Sequence, residues 1–104
     1  MACVFCKIIA REEPAKVFYE DDEVIVFHDH RPSAPVHLLI CPKEHYDNFR
    51  AAPPEVHTKL AATVQKIAEM LGEQGKNFRL IINNGSGWGQ IVFHLHYHFL
   101  AGKR

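Results

Sequence analysis

The sequence lacks a prevailing sign of charge. Twelve Lys and Arg residues balance twelve Asp and Glu residues, so the formal net charge is zero when the histidines are neutral. Proteins that bind DNA or RNA along the phosphate backbone typically carry a surplus of positive charge. The even balance therefore argues against a general nucleic-acid-binding protein, while a single nucleotide stays open as a ligand.

The sequence also has few long apolar segments and few cysteines. No uninterrupted hydrophobic run is long enough for a membrane-spanning helix, and the first residues do not form a charged-then-apolar leader. Three cysteines are an odd number and do not make a disulfide framework. These absences predict a cytoplasmic protein with no membrane partner.

The size of the chain predicts a single folded domain over residues 1–104. Apolar and β-branched runs separated by turn residues predict five strands, at 16–20, 23–28, 36–41, 78–82 and 91–100. A long helix should begin at Pro53-Pro54-Glu55, because proline suits the first turn and an acid suits the positive helix end. Its inward stripe is Val56, Leu60, Val64, Ile67 and Leu71. Several strands with one main helix predict an antiparallel α+β fold.

Histidine is the residue type present in excess, with eight copies in 104 residues. In a strand alternate residues share a face, so His94, His96 and His98 are predicted to project together, about 7 Å apart. Crowded imidazoles disfavour each other's protonation, which keeps at least one neutral and nucleophilic near pH 7. The opposite face is predicted to enter the core with Phe93, Leu95, Tyr97 and Phe99.

Two other interpretations of this histidine segment stay open. A His-x-His pair on a strand, with a distant third ligand, can hold a catalytic zinc ion that keeps one position for water. Three successive histidines on one face are, however, too spread to bind one ion without distorting the strand. The segment could also belong to a nucleotide-binding or partner-binding module that has little turnover.

The segment His94–Leu100 matches the signature His-φ-His-φ-His-φ-φ of the histidine triad (HIT) family, where φ is apolar. The chain resembles the Hint branch of that family over essentially its whole length. The supporting segments are 5–9, 14–16, 27–29, 35–37, 42–45 and 83–90. The resemblance implies a five-stranded antiparallel sheet with one long helix and a short N-terminal helix. It also implies a homodimer in which the two sheets join.

The resemblance further implies hydrolysis or transfer at the α-phosphate of a nucleoside phosphoramidate, with an AMP-type purine nucleotide as substrate or product. His96 would attack phosphorus and carry the nucleotide covalently until water releases it. His98 would contact the phosphate, His94 completes the triad, and His37 matches an additional histidine of the family site. No cofactor is implied for the catalysis.

The nucleotide contacts implied by the resemblance come from three parts of the chain. Asp29 matches the acid that binds the ribose hydroxyls. The phosphate and leaving group would be held at Asn83, Gly89 and Gln90. The base would lie against an apolar wall of Val4, Phe5, Ile8 and Phe27.

The chain departs from the family pattern in two places. Ile91 stands where relatives often carry a serine or threonine that helps the leaving group. The sequence also stops at Lys103-Arg104, where many relatives have a longer tail that reaches the site. Both departures are reasons to expect slow turnover.

Cys3 and Cys6 form a Cys-x-x-Cys motif, which on its own suits redox chemistry or two ordinary thiols as well as a metal site. Some bacterial relatives hold a structural zinc with two such cysteines, a histidine like His45 and the first triad histidine. The resemblance therefore implies a closed site of Cys3, Cys6, His45 and His94, without an open position for catalysis. Of the remaining candidates, Cys41 is predicted to be buried, and His30 and His57 are predicted to lie at the surface.

Overall fold

A computed structural model describes residues 3–103, so residues 1, 2 and 104 of the predicted 1–104 domain lie outside the described part. The sheet has five antiparallel strands in the order β1-β2-β3-β5-β4. Two helices complete the α+β fold, which confirms the fold predicted from the sequence. The elements in chain order are α1 (Val4–Ile9), β1 (Val17–Glu20), β2 (Val24–His28), β3 (Val36–Pro42), α2 (Pro54–Met70), β4 (Phe78–Ile81) and β5 (Tyr97–Ala101).

Strands β2 and β3 are buried on both faces. In β2, Val24 and Val26 pack with the helix α2 cluster, whereas Ile25 and Phe27 pack with the helix α1 cluster on the other face. A strand covered on both sides reads as a continuous apolar run, because neither face needs polar side chains. The helices therefore enclose the centre of the sheet and leave its two edges uncovered.

Helix α2 packs across one face of the sheet through its predicted apolar stripe. Leu60, Val64 and Ile67 are buried in the same cluster as the inward residues of β2, β3 and β5. Burial of each side chain contributes about 1.5–3 kcal/mol. Gly72 follows the helix with φ 60, a left-handed conformation that glycine adopts without a Cβ clash. Across residues 3–103, no helix is both long and apolar enough to span a membrane.

Helix α1 covers the other face beside the histidine segment. Its two inward side chains, Phe5 and Ile8, are buried. The Phe5 ring packs edge-on against Phe27, with 5.2 Å between centroids, and against His96, with 5.0 Å. This short helix therefore brings the N-terminal motif and an apolar wall next to the central histidine.

The last strand is shorter than the sequence predicts. It begins at Tyr97, so only His98 of the three histidines lies in a strand, and His94 and His96 lie in the irregular segment before it. The backbone N–H of Leu95 bonds to the carbonyl of a loop residue at 2.7 Å instead of entering the strand ladder. The centroids of the His96 and His98 rings lie 4.9 Å apart, which is closer than the spacing of about 7 Å expected for alternate residues of a regular strand.

Two side chains lie where they were not predicted. Phe93 was expected in the core but is 49% exposed, because the segment before β5 does not follow strand alternation. His57 was expected at the surface but is half-buried between a loop and the sheet. The Tyr97 hydroxyl and His57 Nδ1 lie 2.7 Å apart, and His57 Nε2–H donates to the Phe49 carbonyl at 2.9 Å.

Candidate active site

His96 is held with one ring nitrogen against its own backbone. Its Nδ1 lies 2.7 Å from the carbonyl oxygen of His94. Because a carbonyl can only accept, Nδ1 carries the proton and Nε2 keeps its lone pair. Burial lowers the pKa of His96 below its usual range, which favours the neutral ring. The result is a neutral imidazole whose free nitrogen can act as a nucleophile.

The tautomer of His98 is fixed by a hydrogen bond from His37, a buried residue of β3. The backbone N–H of Ser33 donates to His37 Nδ1 at 2.9 Å, so the His37 proton must be on Nε2. That Nε2–H lies 3.0 Å from His98 Nδ1. His98 therefore accepts at Nδ1 and keeps its own proton on Nε2, where it can donate to a ligand.

The charge state of His98 follows from its surroundings. Burial, with a further contribution from the neighbouring His96 and His37, lowers the pKa of His98 to about 4. The ring is consequently neutral near pH 7. It can offer a hydrogen bond to an anionic oxygen without being an imidazolium cation.

Asp29 lies beside this histidine pair at the end of β2. One carboxylate oxygen is 3.4 Å from His37 Nε2, and the other accepts the backbone N–H of Arg31 at 2.8 Å. The backbone N–H of Asp29 also donates to the carbonyl of His37 at 3.0 Å. The structure thus brings the predicted ribose-binding acid to the same end of the site as His37 and His98.

The predicted base wall divides into two parts. Phe5, Ile8 and Phe27 are buried together in the cluster under α1 and lie next to His96. Val4 is 43% exposed at the start of α1. The first three side chains therefore form a rigid apolar surface, and Val4 lies outside the packed cluster.

The glycine-rich loop is tied down by the side chain of Gln90. Its Oε1 accepts the backbone N–H of Gly85 at 2.7 Å, and its Nε2 donates to the carbonyls of Asp47 at 2.7 Å and Val92 at 3.0 Å. The Gln90 amide is therefore committed to internal bonds and shapes the loop. Gly89 is in a left-handed conformation with φ 90, and Asn83 is half-buried beside the loop.

The glycine-rich loop is supported by residues 47–50, a segment that was not predicted to contribute to the site. Asp47 supplies one of the Gln90 bonds, and the backbone N–H of Arg50 donates to the Asn84 side chain at 2.8 Å. These contacts join residues more than thirty positions apart. No local spacing or motif in the sequence signals them.

Cys3, Cys6, His45 and His94 converge near the start of α1, with ligand atoms all within 4.8 Å of one another. The sulfur–Nδ1 distances are 3.5 Å from Cys3 to His94, 3.3 Å from Cys6 to His45 and 3.6 Å from Cys6 to His94. A tetrahedral zinc with ordinary Zn–S and Zn–N bonds separates such atoms by about 3.6 Å. Cys41 is fully buried, as predicted, and is not part of the cluster.

Both histidines of this cluster present a lone pair to it. His94 donates Nε2–H to the carbonyl of Pro42 at 2.8 Å, and His45 donates Nε2–H to the Asp47 carboxylate at 2.9 Å. Their protons are therefore on Nε2, and both Nδ1 atoms face the thiols unprotonated. Histidines that bind a metal through one ring nitrogen usually donate the other ring N–H to a carbonyl or carboxylate in this way. The four residues therefore fit a zinc ion.

Asp29, His37 and His98 form a second group of possible ligands, but they do not fit a metal ion. The Ser33 N–H fixes the His37 proton on Nε2, which is the atom that would have to bind the metal. In the described part of the chain, neither group of possible ligands contains His96. The geometry therefore argues against a metal centre built from the three triad histidines.

The sequence that forms this site can be compared with the sequences of known protein families. Residues 10–104 match the sequence model of the HIT domain. The chain belongs to the HIT family. The predicted family is thereby confirmed, and the expected five-stranded sheet with its long and short helices is present.

Individual relatives agree with this assignment. Protein HitA of Neisseria gonorrhoeae is 45% identical over 101 residues, which cover 95% of this chain and 94% of HitA. A HIT family hydrolase from Clostridium thermocellum is 48% identical with a TM-score of 0.90, over 97% of this chain and 90% of the other. A Zn-bound histidine triad family protein from Mycobacterium smegmatis is 36% identical with a TM-score of 0.91, over 100% of this chain and 77% of the other.

Proposed function

We propose that the protein is a hydrolase that cleaves nucleoside 5′-phosphoramidates of the adenosine type through a covalent nucleotidyl intermediate on His96. The observation that carries the proposal is the 2.7 Å contact between His96 Nδ1 and the His94 carbonyl, which leaves the Nε2 lone pair free. A covalent intermediate divides one difficult displacement at phosphorus into two easier steps. His96 suits the role of nucleophile because its ring is neutral and its Nε2 lone pair is free.

The two steps balance without an added cofactor. The Nε2 lone pair of His96 forms a bond to the α-phosphorus while the phosphorus–nitrogen bond breaks, and the leaving nitrogen keeps the electron pair and takes a proton from solvent. Water then attacks the phosphorus and breaks its bond to Nε2, which releases the nucleoside monophosphate, returns one proton to solvent and restores the neutral His96. The His98 Nε2–H donates a hydrogen bond to the phosphoryl oxygens as charge accumulates there.

The surrounding residues suit a nucleoside. A carboxylate is a natural partner for the two ribose hydroxyls, and Asp29 supplies one beside the histidines. The buried aromatic rings of Phe5 and Phe27 give the base an apolar wall. Glycine at position 89 lets the backbone approach the phosphate closely.

We propose that Cys3, Cys6, His45 and His94 hold a structural zinc ion. Four protein ligands leave no open position, so the ion would stabilise the fold and would not activate water. It would join the N-terminal segment to His94, whose carbonyl orients His96. Free thiols of this kind persist in a reducing compartment, which is consistent with a cytoplasmic protein.

We further propose that the folded unit, one domain over 1–104, forms a homodimer through β4. This strand is an edge of the sheet and has one unpaired backbone side. Exposed edge strands with apolar side chains are sites of pairing with another chain. The exposed apolar residues at this edge are Phe78, Leu80, Ile81 and Ile82.

The first experiment follows AMP release from adenosine 5′-phosphoramidate by the wild type, by His96→Ala and by chelator-treated protein. Release that requires His96 and survives the chelator is expected. If the wild type binds AMP but releases none from the substrate, the protein is a nucleotide-binding module and the proposal is wrong. Release by the wild type that the chelator abolishes in still-folded protein would instead indicate a metal-dependent hydrolase.

A further inference from the structure

A polar side chain occupies an apolar position of the histidine signature. Tyr97 lies between His96 and His98, where the signature His-φ-His-φ-His-φ-φ has an apolar residue. Its side chain is buried in the cluster that α2 covers, on the opposite face of the sheet from the reaction. A hydroxyl group buried in such a place needs a hydrogen-bond partner, because an unpaired one destabilises the fold.

The partner of the Tyr97 hydroxyl is His57 on α2. The hydroxyl lies 2.7 Å from His57 Nδ1, and His57 Nε2 lies 2.9 Å from the carbonyl oxygen of Phe49. A carbonyl can only accept, so Nε2 carries the proton and Nδ1 accepts from the hydroxyl. Burial raises the pKa of Tyr97, which keeps the hydroxyl protonated and a donor. Tyr97, His57 and Phe49 thus form a chain of two hydrogen bonds with one direction.

The same three residues also pack through their rings. The centroids of Phe49 and His57 lie 3.9 Å apart, and those of His57 and Tyr97 lie 6.1 Å apart with planes that differ by 13°. Near-parallel rings in contact restrict the rotation of the imidazole. The two hydrogen bonds of His57 therefore keep their direction.

Phe49 belongs to a supporting segment, residues 46–50, that contacts the histidine side of the active site. The carbonyl of Tyr46 accepts the backbone N–H of Leu95 at 2.7 Å. Leu95 directly precedes His96 in the chain. The supporting segment is therefore bonded to the backbone beside the nucleophile.

The supporting segment also contacts the glycine-rich loop, residues 83–90. The carbonyl of Asp47 accepts Nε2–H of Gln90 at 2.7 Å. The backbone N–H of Arg50 donates to the side-chain oxygen of Asn84 at 2.8 Å. Because the segment is bonded to the histidines on one side and to this loop on the other, its position sets the distance between them.

We propose that His57 and Tyr97 are positioning residues that hold the glycine-rich loop at a fixed distance from His96 and His98. The inference rests on the proposed function and adds to it two residues that do not touch the substrate. Tyr97 anchors the chain between the two histidines, and His57 joins that anchor to the supporting segment. The α-phosphorus must be within reach of His96 while the loop holds the phosphate, and a displacement of about 1 Å can lower the rate about 100-fold.

A merely stabilising role makes a different prediction for variants. When both partners of a buried hydrogen bond are replaced by apolar groups of similar shape, stability changes little, whereas replacing one partner leaves the other unpaired. The double variant Tyr97→Phe/His57→Phe keeps three aromatic rings and removes both polar groups. The Phe49 carbonyl then loses its tie to α2, and water can take that place because the contact is exposed. Stability and catalysis should therefore separate in the double variant.

The kinetic test follows AMP release from adenosine 5′-phosphoramidate, with urea denaturation of the same proteins. In His57→Phe and in the double variant kcat should fall about tenfold while KM changes less than about twofold, because the loop is displaced but the ribose and base contacts remain. His57→Gln should keep most of the activity, since its oxygen can accept from Tyr97 and its nitrogen can donate to Phe49. The urea midpoint should fall in His57→Phe and return towards the wild-type value in the double variant.

A second measurement does not depend on turnover. Trp88 is the only tryptophan of the chain and is 85% exposed on the glycine-rich loop. Its time-resolved fluorescence anisotropy should show faster local motion in His57→Phe and in the double variant, and wild-type motion in His57→Gln. The control is Thr58→Ala at the next position of α2, where the side chain bonds only within the helix, to the Pro54 carbonyl. This control should change neither kcat nor the anisotropy.

The outcomes separate the inference from the proposed function. A lower urea midpoint in His57→Phe with unchanged kcat and unchanged Trp88 anisotropy would show that the pair only stabilises the fold, and the proposed hydrolysis would stand. Recovery of kcat together with stability in the double variant would overturn the inference in the same way. If the wild type releases no AMP, the proposed function is wrong. The Trp88 anisotropy of His57→Phe then decides the inference, and a value equal to that of the wild type overturns it.

Discussion

His37 Nε2 lies 3.0 Å from His98 Nδ1, and the Ser33 backbone N–H lies 2.9 Å from the other nitrogen of His37. A backbone amide cannot change its role as a donor, so it fixes the proton of His37 on Nε2 and the proton of His98 on Nε2 as well. The orientation of the phosphate-facing N–H is therefore set by the main chain of the loop before β3. His37 acts through His98 and is a positioning residue.

Replacement of His37 should show this relay. In His37→Gln the side-chain oxygen can accept the Ser33 N–H and the side-chain nitrogen can donate to His98, so most of the activity should remain. In His37→Phe neither bond forms, and kcat should fall about 100-fold, as when one donor to a developing oxyanion is lost. Nitrogen-15 NMR of His98 should report the Nε2–H tautomer in the wild type and His37→Gln, and a mixture in His37→Phe. Equal tautomers in all three proteins would contradict the relay.

The parts of the fold with local periodicity could be predicted from the sequence. Leu60, Val64 and Ile67 form a stripe at helical spacing, and the structure buries them as predicted. The start of β5 could not be predicted, because alternation describes any extended segment. Only the ladder of hydrogen bonds defines a strand, and the Leu95 N–H bonds to the distant Tyr46.

The site was predictable where it follows the family motif and not where it depends on distant contacts. His94, His96 and His98 could be identified from their spacing, and the structure adds that His94 faces the thiols while His98 faces His37. The burial of His57 depends on Tyr97, forty positions away in the chain. A single sequence contains no local signal for a contact of that range.

Zinc content should depend on the cysteines of the N-terminal motif. The purified wild type should contain one zinc per chain by elemental analysis, and Cys6→Ser should lose it, because a hydroxyl is a poor substitute for a thiolate ligand. Cys41→Ala should retain the zinc, since Cys41 is buried away from the cluster. Chelation should lower the Tm while phosphoramidate hydrolysis persists in protein that is still folded. Equal zinc content in Cys6→Ser and the wild type would show that the metal lies elsewhere.

The dimer should depend on one edge of the sheet and not on the other. Leu80 on β4 is 39% exposed and Val17 on β1 is 38% exposed, so they form a matched pair on opposite edges. Leu80→Lys should give a monomer by light scattering, because a buried lysine at a sheet junction loses its hydration. Val17→Lys should leave the dimer intact. A dimer that survives Leu80→Lys and dissociates in Val17→Lys would place the interface at β1.

The amide of Gln90 should contribute to stability through its three internal bonds. Gln90→Ala leaves the Gly85 N–H and two carbonyls without their partner, and the free energy of unfolding should fall by about 1–3 kcal/mol. Gln65→Ala on the exposed side of α2 is the control and should change it by less than about 0.5 kcal/mol. Urea denaturation measures both. An equal effect of the two substitutions would mean that water forms hydrogen bonds to the Gly85 N–H and the two carbonyls in place of Gln90.

The pH dependence of stability should carry the signature of His98. Its pKa is about 4 in the folded protein against 6.5 as the ordinary value, so the unfolded chain binds more protons between these limits. Stability therefore falls as the pH drops from about 6.5 towards about 4, and the contribution is fully present above 6.5. In His98→Gln this contribution is absent, while the lowered pKa of His96 acts in the same direction in both proteins. Urea midpoints measured across this window should consequently fall more steeply for the wild type than for His98→Gln, and parallel curves would show that His98 titrates normally in the fold.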